Sequence, residues 1–215
     1  MREENKYKKY KSEIIITTII TLLPILVGIL LWDKMPDKVV VHWGRDNQPN
    51  GWASKGFAVF GLPALLAMVH LFCVVTTLND PKKQNISPKM LKLVFWLIPF
   101  ITWICCGMTY IWSAGVKVNV GMLASLIVGI IFIVVGNYIP KSRQSYTVGI
   151  KLPWTLDSTE NWNRTARLSG KLWIASGAVF IIEGFVQWYG LVYVIILAML
   201  IIPAAYSFIL YQKGI

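Results

Sequence analysis

Cysteine, histidine and carboxylates are all scarce in this sequence, and each shortage closes off a class of function. Of its 215 residues, three are Cys, two are His and ten are Asp or Glu, against 21 Lys and Arg. Cys73, Cys105 and Cys106 fall inside apolar runs, without the CxxC spacing of zinc or redox sites. They read as small buried side chains. His42 stands alone in its loop, and a lone imidazole makes no metal site. No metal and no cofactor is expected. The longest polar stretch, residues 137–171, holds no His, no Cys and only two acids, Asp157 and Glu160. It offers no Ser–His–Asp set, no paired carboxylates and no phosphate loop, so an enzyme is not expected.

Apolar residues are what the chain has in excess. They make up 56% of it, and the mean hydropathy is +0.58, well above a soluble domain. The excess lies in uninterrupted runs, each long enough for a bilayer core that takes about 20 helical residues to cross. Six runs stand out: Ile14–Trp32, Phe57–Leu78, Met90–Ser113, Val118–Tyr138, Leu172–Trp188 and Leu191–Tyr211. The first follows a basic tail, as a signal peptide does. Its length, its Pro24 and its Trp32-Asp33-Lys34 ending mark it instead as an uncleaved span. The expected fold is all-α, a polytopic membrane protein with a six-helix transmembrane bundle. No internal repeat is visible.

The net charge of +11 would suggest nucleic acid in a soluble protein. Here the cations sit in the connections between runs, where they set topology and meet anionic lipid headgroups, so direct nucleic-acid binding is not expected. Counted on alternate sides, 16 Lys and Arg fall with the termini, residues 79–92 and residues 139–171, and 5 fall with the loop Asp33–Lys55 and Lys117. That bias predicts both termini and the long segment on the cytoplasmic side, with the Asp33–Lys55 loop outward. Trp32, Trp52, Trp112, Trp188 and Tyr189 gather at outward span ends. Tyr138, Trp173 and Tyr211 gather at inward ones, as an aromatic belt does.

Two connections are candidates for function. In the outward loop, Val39–Val41 suits a short extended piece, and Gln48-Pro-Asn-Gly51 is a turn signal with Gly51 free to take positive φ. The turn would gather His42, Arg45, Asp46, Asn50, Trp52 and Lys55 into a cap for a peptide or headgroup, or simply a seal over the bundle. In the long segment, Asp157-Ser-Thr-Glu160 has capping-box spacing, with Asp157 as N-cap and a helix running on into the fifth span. Trp162, Ala166, Ser169 and Trp173 would share one face, and Arg164, Arg167 and Lys171 another. Trp154 reads as a loop anchor. The basic stripe suits lipid phosphates, an acidic protein surface or topology alone. His70 and Glu183 lie within spans, where ionisable groups are costly. A structural polar contact is the favoured reading for each, a proton relay the other.

Certain blocks resemble a known family. Asn137-Tyr-Ile-Pro, Gly149-Ile-Lys-Leu-Pro-Trp-Thr-Leu156 and Trp162-Asn-Arg-Thr-Ala-Arg167-Leu-Ser-Gly170 are similar to the signature of the SdpI family of bacterial immunity membrane proteins. Pro36, His42-Trp-Gly, Asn50-Gly-Trp and Lys55 resemble the DUF1648 module that precedes it. The chain departs from the family pattern at Lys151, Leu152 and Ala166, where Arg, Thr and His are usual. The resemblance implies a DUF1648-like module over 1–78 and an SdpI-like module over 79–215. It implies a multi-pass plasma-membrane protein of a Gram-positive bacterium that gives resistance to a secreted toxic peptide. Signal transduction by recruiting a small cytoplasmic repressor is implied as well. His42, Trp43, Arg45, Asn50, Trp52 and Lys55 would then meet the peptide. Asn137, Lys141, Arg143, Lys151, Trp154, Trp162, Arg164 and Arg167 would form the cytoplasmic docking or headgroup face. The alternatives are a membrane-embedded enzyme or lipid-headgroup binder gripping an anion with that basic set, and a small transporter coupled through His70 and Glu183.

Overall fold

The computed structural model describes residues 4–188 and 190–215; Arg2 of the basic tail and Tyr189 of the aromatic belt lie outside them. Tyr7–Leu30, Phe57–Leu78, Pro88–Ser113, Val120–Lys141, Thr159–Val186 and Gly190–Gln212 are six helical stretches long and apolar enough to cross a membrane. The six expected spans are all present, and the protein is a multi-pass membrane protein. Among the described residues the exception to helix is one two-stranded hairpin between the first and second spans.

The first span is two helices, α1 (Glu4–Leu22) and α2 (Pro24–Leu30). Pro24 has no N–H, so the Ile20 carbonyl loses its helical donor. The indole Nε1–H of Trp103, on α4 (Pro88–Ser113), donates to that carbonyl at 3.0 Å. An unpaired carbonyl at membrane depth costs several kcal/mol, so a neighbouring side chain that satisfies it makes the break tolerable. The helix break and the tryptophan belong together.

By compactness the chain divides into two units. One comprises Met1–Asn79 with Leu91–Val120, so most of α4 groups with the first two spans. Its interior is partly polar: Thr17, Thr21, His70, Thr102 and Thr109 are all buried. Three of these threonines are accommodated by donating one turn back, Thr17 to Glu13, Thr21 to Thr17 and Thr102 to Ile98, each at 2.8 Å. The apolar core, Met35, Val39, Ala58, Val59, Cys106 and Tyr110, lies towards the hairpin. It is carried partly by a π-helical turn, Phe57–Gly61, that opens α3 (Leu62–Leu78).

The other unit comprises Asp80–Met90 with Gly121–Ile215. Its main helices are α5 (Val120–Tyr138), α7 (Thr159–Val186) and α8 (Gly190–Gln212), with a one-turn α6 (Pro153–Asp157) before α7. Glycines let α5 and α7 touch backbone to backbone. A Cβ on Gly129 would stand 2.6 Å from the Gly177 carbonyl oxygen, and one on Gly177 would stand 2.5 Å from that of Gly129. Seven residues along, Gly136 and Gly170 repeat the arrangement at 2.9 and 2.7 Å. Small residues at such a seam are how membrane helices gain close packing without a hydrophobic driving force. Beside it, Phe180, Ile195 and Met199 form a buried layer with Phe132 and Trp173 against them.

Candidate functional site

The loop of the first unit folds as an antiparallel hairpin, β1 (Lys38–Trp43) and β2 (Pro49–Ser54). The extended piece expected at Val39–Val41 is therefore part of a real strand. The expected turn at Gln48–Gly51 is not where the chain reverses. The reversal is Gly44–Gln48, closed by Gly44 N–H donating to the Gln48 carbonyl at 2.8 Å, with Asn47 at φ 58°. Gly51 sits in β2 opposite His42, and a Cβ there would stand 2.8 Å from the His42 Cβ. It is glycine because of crowding, not because of φ.

The six residues expected to meet the peptide divide by role. His42, Arg45, Asn50 and Trp52 are exposed, Trp52 by 57%. His42 Nδ1 donates to Asn50 Oδ1 at 2.6 Å across the strands. Trp43 is half-buried and packs edge-on against Trp112, centroids 5.6 Å apart. Lys55 holds the base of the loop. Its Nζ donates to the carbonyls of Met35 at 3.1 Å and Trp32 at 3.3 Å, lies 5.0 Å from the Trp32 ring centroid and pairs with Asp37 at 3.6 Å. Asn47, which sequence reasoning passed over, pins the tip: its Oδ1 accepts from Val120 N–H at 2.8 Å, and its Nδ2 donates to the Val118 carbonyl at 3.3 Å.

The polar segment of the second unit is organised around a residue that sequence reasoning also missed. Asp80 is buried. Its carboxylate accepts from Ser145 Oγ at 2.7 Å, Thr147 Oγ1 at 2.7 Å, Thr147 N–H at 2.9 Å and Lys82 N–H at 2.7 Å. Burial pushes this carboxyl up, but the bonds from Ser145, Thr147 and the two backbone amides outweigh it and hold the pKa below the usual carboxylate value. The Lys82 bond is the local part, an Asx turn. Nothing local points to Ser145 and Thr147, more than sixty residues away.

Around that carboxylate the segment is knitted shut. Gln144 Nε2 donates to the carbonyls of Thr155 at 3.0 Å and Leu156 at 3.1 Å, and Asn85 Nδ2 donates to the Gln144 carbonyl at 2.8 Å. Thr155 Oγ1 accepts from Leu152 N–H at 2.9 Å and donates to the Ile150 carbonyl at 2.8 Å. Trp162 is buried, and its Nε1–H donates to the Ser142 carbonyl at 2.9 Å. Gly149, at φ 112°, lies against that indole so closely that a Cβ would stand 2.6 Å from Cζ2. Asn161 Nδ2 donates to the Ser207 carbonyl at 2.9 Å and to the Ile215 carbonyl at 3.1 Å. The expected anchor Trp154 donates to Ser207 Oγ at 2.9 Å and stacks on Tyr211.

The long helix does start before the fifth span, but its cap is Ser158, whose Oγ accepts from Asn161 N–H at 3.1 Å. Asp157, the expected N-cap, ends α6, and Glu160 turns forward to pair with Arg164. A second short helix ending one residue earlier displaced the cap. The faces divide as the spacing predicts: Trp162, Ala166 and Ser169 are buried, and Arg164, Arg167 and Lys171 are exposed. Asn137, Lys141, Arg143 and Lys151 are exposed too. Two of these cations make local contacts: Lys141 donates to Asn137 Oδ1 at 3.2 Å, and Lys151 to the Thr147 carbonyl at 3.3 Å. Of the docking set, Trp162 thus belongs to the interior, and Trp154 braces the loop on α8.

His70 and Glu183 belong to different units. His70 Nε2 lies 3.0 Å from Thr17 Oγ1, and Nδ1 is buried with no hydrogen-bond partner. Glu183 is 2% exposed. Ser125 Oγ donates to its Oε2 at 3.1 Å, and Oε1 is buried unpartnered. Among the described residues no three His, Cys, Asp or Glu side chains gather as metal ligands would.

Six apolar helices, a hairpin cap on one unit and a sealed polar loop on the other define a polytopic membrane protein whose polar residues mostly serve structure. Residues 141–207 match the SdpI/YfhL protein family, and residues 19–67 match DUF1648, a domain of unknown function. Over 202 residues the chain is 26% identical to the "Immunity protein SdpI" of Bacillus subtilis (strain 168), covering 93% of this chain and 96% of that protein. No solved structure matches. The chain is thus similar to the SdpI/YfhL family over its carboxy-terminal part and to DUF1648 over its amino-terminal part.

Proposed function

We propose that this protein is a plasma-membrane immunity protein that protects a Gram-positive cell against a secreted toxic peptide. The observation that carries the reading is the likeness to an immunity protein along nearly the whole length of both chains. The positive charge bias supports a cytoplasmic position for both termini and residues 139–171, which leaves the hairpin outside to meet the peptide. His42, Arg45, Asn50 and Trp52 supply that face, an exposed aromatic ringed by hydrogen-bonding and cationic groups. Trp43 and Lys55 keep it in place. On the cytoplasmic side, Arg143, Lys151, Arg164 and Arg167 present exposed positive charge that suits an acidic surface of a small repressor or anionic headgroups. Expression in a toxin-sensitive strain tests the reading. Survival of cells carrying the chain, with loss of survival in a His42→Ala/Trp52→Ala variant present at equal level in the membrane, is the expected result. A chain that reaches the membrane and gives no protection against any co-encoded peptide refutes it.

A further inference from the structure

The break at Pro24 has a second consequence inside the first unit. Between α2 and the carboxy-terminal half of α4 lies an apolar groove of about 310 Å³, lined by Pro24, Val27, Leu31, Trp103, Gly107 and Ile111 among others. Pro24 turns the helix at Leu23, and Trp103, pinned to Ile20, forms part of the wall. Gly107 leaves its side open: an added Cβ would meet nothing within 4 Å. The lining residues fall at the hairpin ends of the spans Tyr7–Leu30 and Pro88–Ser113. The surface it exposes is apolar, although Cys106 and Tyr110, whose hydroxyl is buried without a hydrogen-bond partner, are among its lining residues.

The groove's end is marked by charge. The wall that begins on α4 runs past its end to Val116, and the next residue is the exposed Lys117. The wall on α2 ends at Leu31, three residues before the exposed Lys34. Asp33, also exposed, is the acid beside Lys34, and Lys55 is engaged at the loop base. An apolar slot whose two walls are each followed in sequence by an exposed lysine suits a chain of methylenes ending in a negative headgroup. We propose that this groove is a phospholipid site, taking one acyl chain between α2 and α4 with an anionic phosphate near Lys117 and Lys34. It is separate from the exposed hairpin residues assigned to the peptide and from the basic face at 139–171. Its volume is at the low end of small-molecule pockets, which run about 300–1,000 Å³, and suits a single chain.

Native mass spectrometry of the full-length protein, delipidated in neutral detergent and offered phosphatidylglycerol or phosphatidylcholine, tests this. The wild type should retain phosphatidylglycerol in preference. Gly107→Phe adds a ring on the open side of the slot and should lower retention of both lipids by about tenfold, while Gly107→Ala leaves it near wild type. Lys34→Gln/Lys117→Gln should erase the preference between the lipids and spare chain binding. Circular dichroism melting checks that Gly107→Phe stays folded; Gly107→Leu replaces it if not. Equal retention by wild type and the filled variant overturns the proposal. So does displacement of the lipid by an added apolar peptide that Gly107→Phe also blocks, since the groove would then belong to the peptide.

Discussion

The hairpin cap and the sealed polar loop are built from similar residues and put to opposite uses. Both contain tryptophans, hydrogen-bonding side chains and cations. In the loop one set of polar groups turns inward, Ser142, Ser145, Thr155, Asn161 and Trp162 being buried with Asp80, while its Lys and Arg side chains stay exposed. In the hairpin the burial is limited to Met35, Val39 and Val40 beneath the strands, and His42, Arg45, Asn50 and Trp52 remain outside. A polar side chain that is buried and fully bonded specifies a fold; one left exposed on a rigid ribbon is available to something else. The contrast is one of burial: the segment's inward set closes on itself, and the hairpin's exposed set is the face proposed above to meet the peptide.

Substitutions break or sharpen that contrast, and the largest effect is expected at Asp80. Removing its carboxylate leaves several buried donors without an acceptor, at about 1–3 kcal/mol each. Asp80→Ala should therefore unfold the loop, read as early loss of tryptophan fluorescence on heating and as proteolysis within 139–158. The same residue gives the loop a pH dependence. Its folded pKa lies below its unfolded value, so its stabilisation is present above the unfolded value of about 3.9 and is lost as pH falls through the lower, folded one. Acid titration of loop proteolysis should show this loss in wild type and not in Asp80→Ala. A loop that stays protected in Asp80→Ala would erase the distinction drawn here.

Next in size is the glycine seam. Gly177→Ala places a methyl where the Gly129 carbonyl oxygen stands, and overpacking of this kind costs about 1–3 kcal/mol. A lowered melting temperature of the detergent-solubilised protein is the readout. Trp103→Phe keeps the ring and removes the donor to Ile20, at about 1–2 kcal/mol; Trp103→His, which can still donate, should recover part of it. The smallest stability effect is expected on the hairpin. His42→Ala and Trp52→Ala should each move stability by no more than about 0.5 kcal/mol while reducing protection. If they destabilise as Asp80→Ala does, the hairpin is a structural seal.

The spans were legible because bilayer thickness imposes one length on each, and nothing else in the chain imitates it. The division of α7 into a buried and a cationic face was legible for a similar reason, since helical periodicity is a local property. Asp80 was not. Within its own stretch it reads as the first residue of a turn, which it is, and its remaining bonds come from a segment far along the chain. The turn at Gly44–Gln48 was missed because Asn-Gly is the stronger local signal, and the crowding at His42 that explains Gly51 exists only once the strands have paired. The cap moved from Asp157 to Ser158 because Pro153 starts a separate helical turn that uses Asp157 as its last residue. At Asp80 and Gly51 a contact formed only on folding outweighed a sound local rule, and at Ser158 a second local signal did.

The paired glycines also constrain what lengths the chain can have. Gly129 and Gly136 are seven residues apart, and so are their partners Gly170 and Gly177. Gly184, seven further on, lies near the Met122 carbonyl at the next level. Inserting or deleting one residue in α7 between Gly170 and Gly177 would rotate everything beyond it by about 100°. A side chain would then stand where the helices now touch. Relatives that keep the seam should therefore hold the spacing between these glycines unchanged in α5 and α7 alike.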